Sequence, residues 1–218
     1  RDVSDMQAAQ RSLRSAHAAA MHSATHDALT NLPNRLLIAD RIATSLAVAA
    51  RTHEQVALVY LDIDDFKMIN DRYGHHVGDN AMLQVADRLR SMTRDGDSAA
   101  RIGGDEFLLL LTGLNRSWNP TTFSDRLAAI LSRPIVIDNV SLSLTASMGI
   151  ALAQEHHTEP DTLMRDADLA LFRSKSSGKG RMTVFAEDML DSSIPGRPTI
   201  SELSEALATG QLQVFYQP

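Results

Sequence analysis

Two short stretches hold the residue types best suited to chemistry. Leu61-Asp62-Ile63-Asp64-Asp65-Phe66-Lys67 closes an apolar run with three carboxylates, and Gly103-Gly104-Asp105-Glu106-Phe107 sets two acids directly after two glycines. Carboxylates at the end of a rigid strand are oxygen ligands for a hard cation such as Mg²⁺. Paired glycines let the backbone turn sharply and let a ligand approach with no Cβ in the way. If both edges met in one domain they could hold one or two Mg²⁺, which neutralise triphosphate charge and lower the pKa of an attacking hydroxyl. Each stretch alone also has a plainer reading, a solvated acidic turn for the first and a charged hairpin for the second. An EF-hand loop does not fit the first, because Phe66 falls where a third oxygen ligand belongs and Lys67 where glycine is obligatory.

Phosphates also need cations from the protein. Lys67 follows the first acidic edge, and Lys175, Lys179 and Arg181 cluster around Gly178. Lysines at a helix C-terminus are equally at home as partners of the helix dipole. There is no Gly-x-x-x-x-Gly-Lys-Ser/Thr and no Gly-x-Gly-x-x-Gly, so any nucleotide is held without a P-loop. Arg94-Asp95-Gly96-Asp97 reads by itself as a surface turn. His75-His76 and His156-His157 lack a zinc pattern and read as surface or loop residues. His26-Asp27 is one dipeptide, too little for an HD phosphohydrolase. Asp166 and Asp168 read as structural, and the nine methionines as core filler.

The elements that must position these residues follow from periodicity and turn chemistry. Of 218 residues 44% are apolar, enough for one good core. The net charge of −6 argues against a DNA- or RNA-binding surface, and the absence of cysteine excludes disulfides and thiolate chemistry. Residues 1–24 form a weakly apolar helical seam. Leu29 to Arg35 is a polar turn in which Asn31 tolerates the left-handed conformation. A helix is predicted to about Ala50, a doubly covered strand over Val56–Leu61, and a helix over 77–92. Ala100–Thr112 reads as two strands around Gly-Gly. A helix near 121–132, strands near 134–138 and 141–152, an amphipathic helix over Asp161–Ser176 and a strand over Arg181–Phe185 complete the set. The class is α/β (α+β) with a mixed or antiparallel sheet.

The ordered motifs resemble a known family. Asp27-Ala28-Leu29-Thr30-Asn31-Leu32-Pro33-Asn34-Arg35, Asp62 through Asp71, Gly74-His75, Gly78-Asp79, Arg101 through Phe107 and Lys175 through Lys179 together look like the GGDEF family of diguanylate cyclases. The resemblance covers about residues 26–186. It implies a palm-like fold with an antiparallel-centred sheet flanked by helices, as in adenylyl cyclases. It implies Asp62, Asp105 and Glu106, with the Ile63 carbonyl, as ligands of Mg²⁺ or Mn²⁺, and Asp105 nearest the attacking 3′-hydroxyl. Asn70 and Asp79 would read guanine, and Phe66, Lys67, Gly103, Gly104, Lys175 and Lys179 would complete the GTP site. The implied reaction joins two GTP into cyclic di-GMP across a homodimer, with product feedback through Arg94 and Asp97. Asn31 stands where the family commonly has glycine.

The expected organisation is an N-terminal connector helix (1–24), a GGDEF domain (25–187), a linker (188–200) and a tail (201–218). Leu203, Ala206-Leu207, Gly210 and Val214 to Pro218 resemble the opening of an EAL phosphodiesterase domain, whose catalytic residues are absent. The chain is therefore expected to be part of a longer cytoplasmic protein, with any membrane anchor in other segments. The alternative role is a non-catalytic GTP-binding module that controls an attached EAL domain.

Overall fold

The computed structural model describes residues 10, 16–17, 19–115, 117–191, 206–207 and 209. Most of the predicted N-terminal seam and most of the tail with its EAL resemblance lie outside these residues. Within them, residues 19–25 are helical and lead into a turn closed by a bridge between His26 and Pro33. Asn31 takes the left-handed conformation there, φ 55°. Asn34 then caps helix α1 (Arg35–Thr52), its side-chain oxygen accepting from the Leu36 and Leu37 N–H groups.

The chain continues through strand β1 (Gln55–Ile63), helices α2 (Phe66–Tyr73) and α3 (His75–Met92), and strands β2 (Ser98–Gly103) and β3 (Glu106–Leu114). Helix α4 (Pro120–Leu131), strands β4 (Ile135–Ile137), β5 (Val140–Leu142) and β6 (Ala146–Leu152), helix α5 (Pro160–Ser176) and strand β7 (Met182–Val184) follow. Contacts divide the chain into two units, 1–185 and 186–218, and the second contains the short helix α6 (Asp188–Asp191).

A five-stranded sheet in the order β2-β3-β1-β6-β7 forms the centre of the first unit. Its pairs are antiparallel except β6 with β7, which is parallel. The fold is thus the expected mixed, palm-like α/β arrangement. β1 lies in the middle, and every residue after Gln55 is buried, as a strand covered on both faces requires. Ala57, Val59, Leu61 and Ile63 pack into a core with Val77, Met82, Val85 and Leu89 of α3 and Leu127 and Leu131 of α4. The alternate residues Leu58, Tyr60 and Asp62 point to the opposite face, where α5 and α1 lie. That alternation decides which acids face α5.

One expectation is corrected and one element is added. The predicted strand 141–152 is two strands, separated at residues 143–145, with β5 in a separate hairpin with β4. Helix α2 begins directly at Phe66, in a stretch for which no element was predicted, and Asp65 precedes it in a left-handed conformation, φ 56°.

Candidate functional site

The two acidic stretches meet at one edge of the sheet. In the β1–β3 register Asp62 stands opposite Glu106, and the Ile63 N–H donates to the Asp105 carbonyl at 3.1 Å. Gly104 makes the connecting turn at φ 50°, a conformation costly for a side chain. Asp62 is buried, and Asp105 and Glu106 are half-buried. Burial raises the pKa of Asp62, the neighbouring charges of Asp105 and Glu106 push it further, and Lys175 works against them. Tyr60, one pleat back on the same face, donates to Glu106 Oε2 at 3.1 Å. Its own pKa is raised by burial and by the Glu106 charge.

Two of the predicted phosphate-binding lysines sit on these acids. Lys175 Nζ is 2.6 Å from Asp62 Oδ2, and Lys179 Nζ is 2.7 Å from Asp65 Oδ1. Past the end of α5, Gly178, Lys179 and Gly180 all have positive φ, 118°, 53° and 58°. That turn aims the Gly180 N–H at Asp64 Oδ2, 3.0 Å away. Lys67 is exposed on α2.

Asn70, Phe66 and Gly78 pack together beside this edge. A Cβ on Gly78 would stand 1.9 Å from Asn70 Oδ1 and 3.2 Å from the Phe66 ring, so only glycine leaves room for the amide. Asn70 Oδ1 is buried without a hydrogen-bond partner. Buried acceptors are normally satisfied, so this one is suited to a donor brought by a ligand. Asp79, the other predicted base reader, is exposed at the next position of α3.

The comparisons with known proteins agree with this geometry. Residues 24–181 match the family described as diguanylate cyclase, GGDEF domain. The chain belongs to the GGDEF family. It is 35% identical over 207 residues to MucR of Pseudomonas aeruginosa, a bifunctional diguanylate cyclase/cyclic di-GMP phosphodiesterase, covering 95% of this chain and 30% of MucR. The GGDEF domain of TpbB from the same organism superposes with TM-score 0.73 at 36% identity, covering 76% of this chain and 97% of that one. The coiled coil and GGDEF domain of DgcB from Caulobacter crescentus, in complex with c-di-GMP, gives TM-score 0.76 at 30% identity, covering 84% and 96%. The chain spans well under half the length of full-length MucR (30%) and TpbB (41%).

The chemistry of the donors at the acidic edge of this GGDEF domain suits a divalent cation. The donors are all carboxylate or carbonyl oxygens, and the buried Asp62 already attracts a cation in the form of the Lys175 ammonium. Asp62 near the end of β1 stands opposite Glu106 at the start of β3, and Asp105 lies in the turn just before it.

Arg94 and Asp97 are together on the turn after α3, away from this edge. Arg94 Nη2 donates to the Thr112 carbonyl at 2.7 Å, and Asp97 Oδ1 accepts the Thr112 N–H at 3.0 Å. Both therefore brace β3, as the plain surface-turn reading expects. They also line a cavity of about 560 Å³.

Several positioning residues of the GGDEF domain escaped the sequence reading. Arg101 forks onto the Gly104 carbonyl at 3.1 and 2.7 Å and reaches Asp27 Oδ1 at 3.0 Å, clamping the Gly-Gly turn to the opening turn. Burial of Asp27 opposes its charge, yet bonds from Thr30 and Arg101 hold its pKa below the ordinary value. Asp64 faces inward, accepting from Ser147 Oγ at 2.6 Å, and ties β1 and β6 to the Lys179 turn. Neighbouring identical residue types hid the division of labour between Asp62 and Asp64.

His157 lies in a loop, one of the two places expected for the histidine pairs, but it is not a surface residue, because its side chain is fully buried. It accepts the Gln154 N–H on Nδ1 at 2.9 Å, so its Nε2 carries the proton and donates to Asp166 Oδ2 at 3.0 Å. His156, His157 and Asp166 are close enough to hold a metal ion. That tautomer leaves no lone pair on His157 Nε2 for a metal, and Asp166 is already bonded by Arg165 at 3.0 Å. The cluster is a structural bridge between the loop and α5, in keeping with the structural reading of Asp166.

Proposed function

We propose that this chain is a diguanylate cyclase domain that condenses two GTP into cyclic di-GMP with release of two pyrophosphates. The observation that carries the reading is the placing of Asp62, Asp105 and Glu106 where the end of β1 lies beside the β2–β3 turn, with Lys175 in contact with Asp62. Mg²⁺ or Mn²⁺ held there supplies neutralisation of the triphosphate and acidifies the attacking hydroxyl. Asp62, Asp105, Glu106 and the Ile63 carbonyl are its proposed ligands.

Asp105 accepts the proton of the 3′-hydroxyl as O3′ of one GTP bonds to the α-phosphorus of the other and pyrophosphate leaves. Repeating the step with the roles exchanged closes the ring. Asn70 Oδ1 takes a guanine N–H, which supplies its missing donor, and Asp79 takes a second. Phe66 backs the amide, and Gly103 and Gly104 let the nucleotide lie against the backbone. Lys67, Lys175 and Lys179 receive the phosphates. Since one edge holds one GTP, catalysis needs two copies face to face. The likeness to TpbB, a diguanylate cyclase, and to MucR, a bifunctional diguanylate cyclase/phosphodiesterase, supports this reading, and the DgcB complex with c-di-GMP supports product binding. Feedback through Arg94 and Asp97, a cytoplasmic site of action and a following EAL domain belong to the same proposal.

The test is incubation with GTP and Mg²⁺ followed by separation of the nucleotides. Cyclic di-GMP should form and should vanish with Asp105→Ala. Tight GTP binding without product, from a sample shown to be dimeric, would replace the cyclase by a GTP-binding regulator.

A further inference from the structure

The cavity beside Arg94 and Asp97 contains more than those two residues, and they are partly spent. Arg94 Nη2 is shared between the carbonyls of Thr112 and Gly113, at 2.7 and 3.3 Å. Both Asp97 oxygens accept backbone N–H groups, and its side chain is only 6% exposed. This pair can contribute charge and a few remaining N–H donors, but it offers little surface to a planar ring. Another part of the lining supplies that surface. Trp118, the only tryptophan in the chain, lines the cavity half-buried, together with Asn115, Phe123 and Arg126.

The segment that carries the indole is held in place. The Trp118 main-chain N–H donates to the Asn115 carbonyl at 3.0 Å. The next residue, Asn119, caps α4 by accepting the Thr121 and Thr122 N–H groups. The Phe123 ring lies 6.0 Å away at 44° and supports one side of the indole. An aromatic face beside guanidinium groups suits a ligand that is flat at one end and anionic at the other.

Resting on the reading of Arg94 and Asp97 as a product site, we propose that Trp118 is the stacking wall of that site. A guanine base of cyclic di-GMP lies against the indole, while Arg94 takes a base edge or phosphate oxygen. The volume, about 560 Å³, falls within the usual size range of small-molecule pockets.

The lone tryptophan makes the proposal directly measurable. The whole chain is titrated with cyclic di-GMP without divalent cation, so no turnover occurs, and indole fluorescence is followed alongside calorimetry. Saturable quenching should track the calorimetric isotherm and disappear with Arg94→Ala. Trp118→Leu should weaken binding roughly tenfold, and Trp118→Phe, which keeps a stacking face, should restore most of it. Calorimetric binding that depends on Arg94 but leaves the fluorescence and the Trp118→Leu affinity unchanged would overturn Trp118 and keep the product site. No binding by either method would overturn both. Quenching by GTP as strong as by cyclic di-GMP, and independent of Arg94, would overturn the assigned ligand.

Discussion

The Lys175 ammonium stands 2.6 Å from Asp62 Oδ2, within the group of carboxylates proposed to bind the divalent cation. The buried Asp62 faces the charges of Asp105 and Glu106, and Lys175 offsets them. A cation entering that edge must therefore compete with the lysine, which is then free for phosphate. Lys175→Met should bind Mn²⁺ roughly three- to tenfold tighter without nucleotide, and GTP more weakly, by paramagnetic resonance and calorimetry. Lys179→Met removes the same charge from an exposed pair with Asp65 and should change Mn²⁺ affinity far less. Equal effects of the two variants would mean that only net charge matters.

Gly78 gives a way to disturb the base pocket without disturbing the fold. The added Cβ of Gly78→Ala would meet Asn70 Oδ1 at 1.9 Å, and the amide must swing away. In the interior of α3 the same change favours the helix by about 1 kcal/mol. The expected result is a melting temperature unchanged or raised, with KM for GTP up about tenfold and a smaller change in kcat. A loss of stability with unchanged KM would remove Asn70 from guanine binding.

The legibility of this chain follows the range of its interactions. The apolar run of β1, the Gly-Gly turn and the helical periods of α1, α3 and α5 are local patterns, and each formed close to its expected place. Helix α2 was hidden because its eight residues contain a single fully buried side chain, Phe66, and so show no apolar period. The break before β6 follows from pairing with β1, which no local signal announces. At the site, residue types pointed to the edge, but not to which of the two buried acids meets Lys175. Asp62 faces α5 and Lys175, whereas Asp64 is consumed by Ser147 and Gly180. Arg101 joins turns more than seventy positions apart, and His157 depends on an aspartate on the next helix.

Gly149 is required for α5 to approach the sheet. A Cβ there would lie 2.1 Å from the Ala167 carbonyl oxygen and 2.2 Å from the Leu171 nitrogen, both backbone atoms that cannot rotate aside. Gly149→Ala should therefore push α5 off β6 and cost about 3 kcal/mol or more in denaturant unfolding. Because α5 carries Lys175, GTP turnover should fall as well. An unfolding midpoint within error of the parent chain would show that the helix can shift at no cost.

His157 sets a pH limit on stability. Burial lowers its pKa, the neighbouring His156 lowers it further, and the Asp166 carboxylate, itself bonded by Arg165, opposes both. Protonation would place a hydrogen on Nδ1, facing the Gln154 N–H that now donates to it. With the folded value below the unfolded one, the unfolded chain binds the proton more readily. The contribution is complete above the unfolded value of about 6.5 and is lost as pH falls below it. Urea midpoints should therefore decline as pH falls below about 7. His157→Gln, whose amide can accept from Gln154 and donate to Asp166 without titrating, should flatten that decline. A slope unchanged by the substitution would assign the acid sensitivity to other groups.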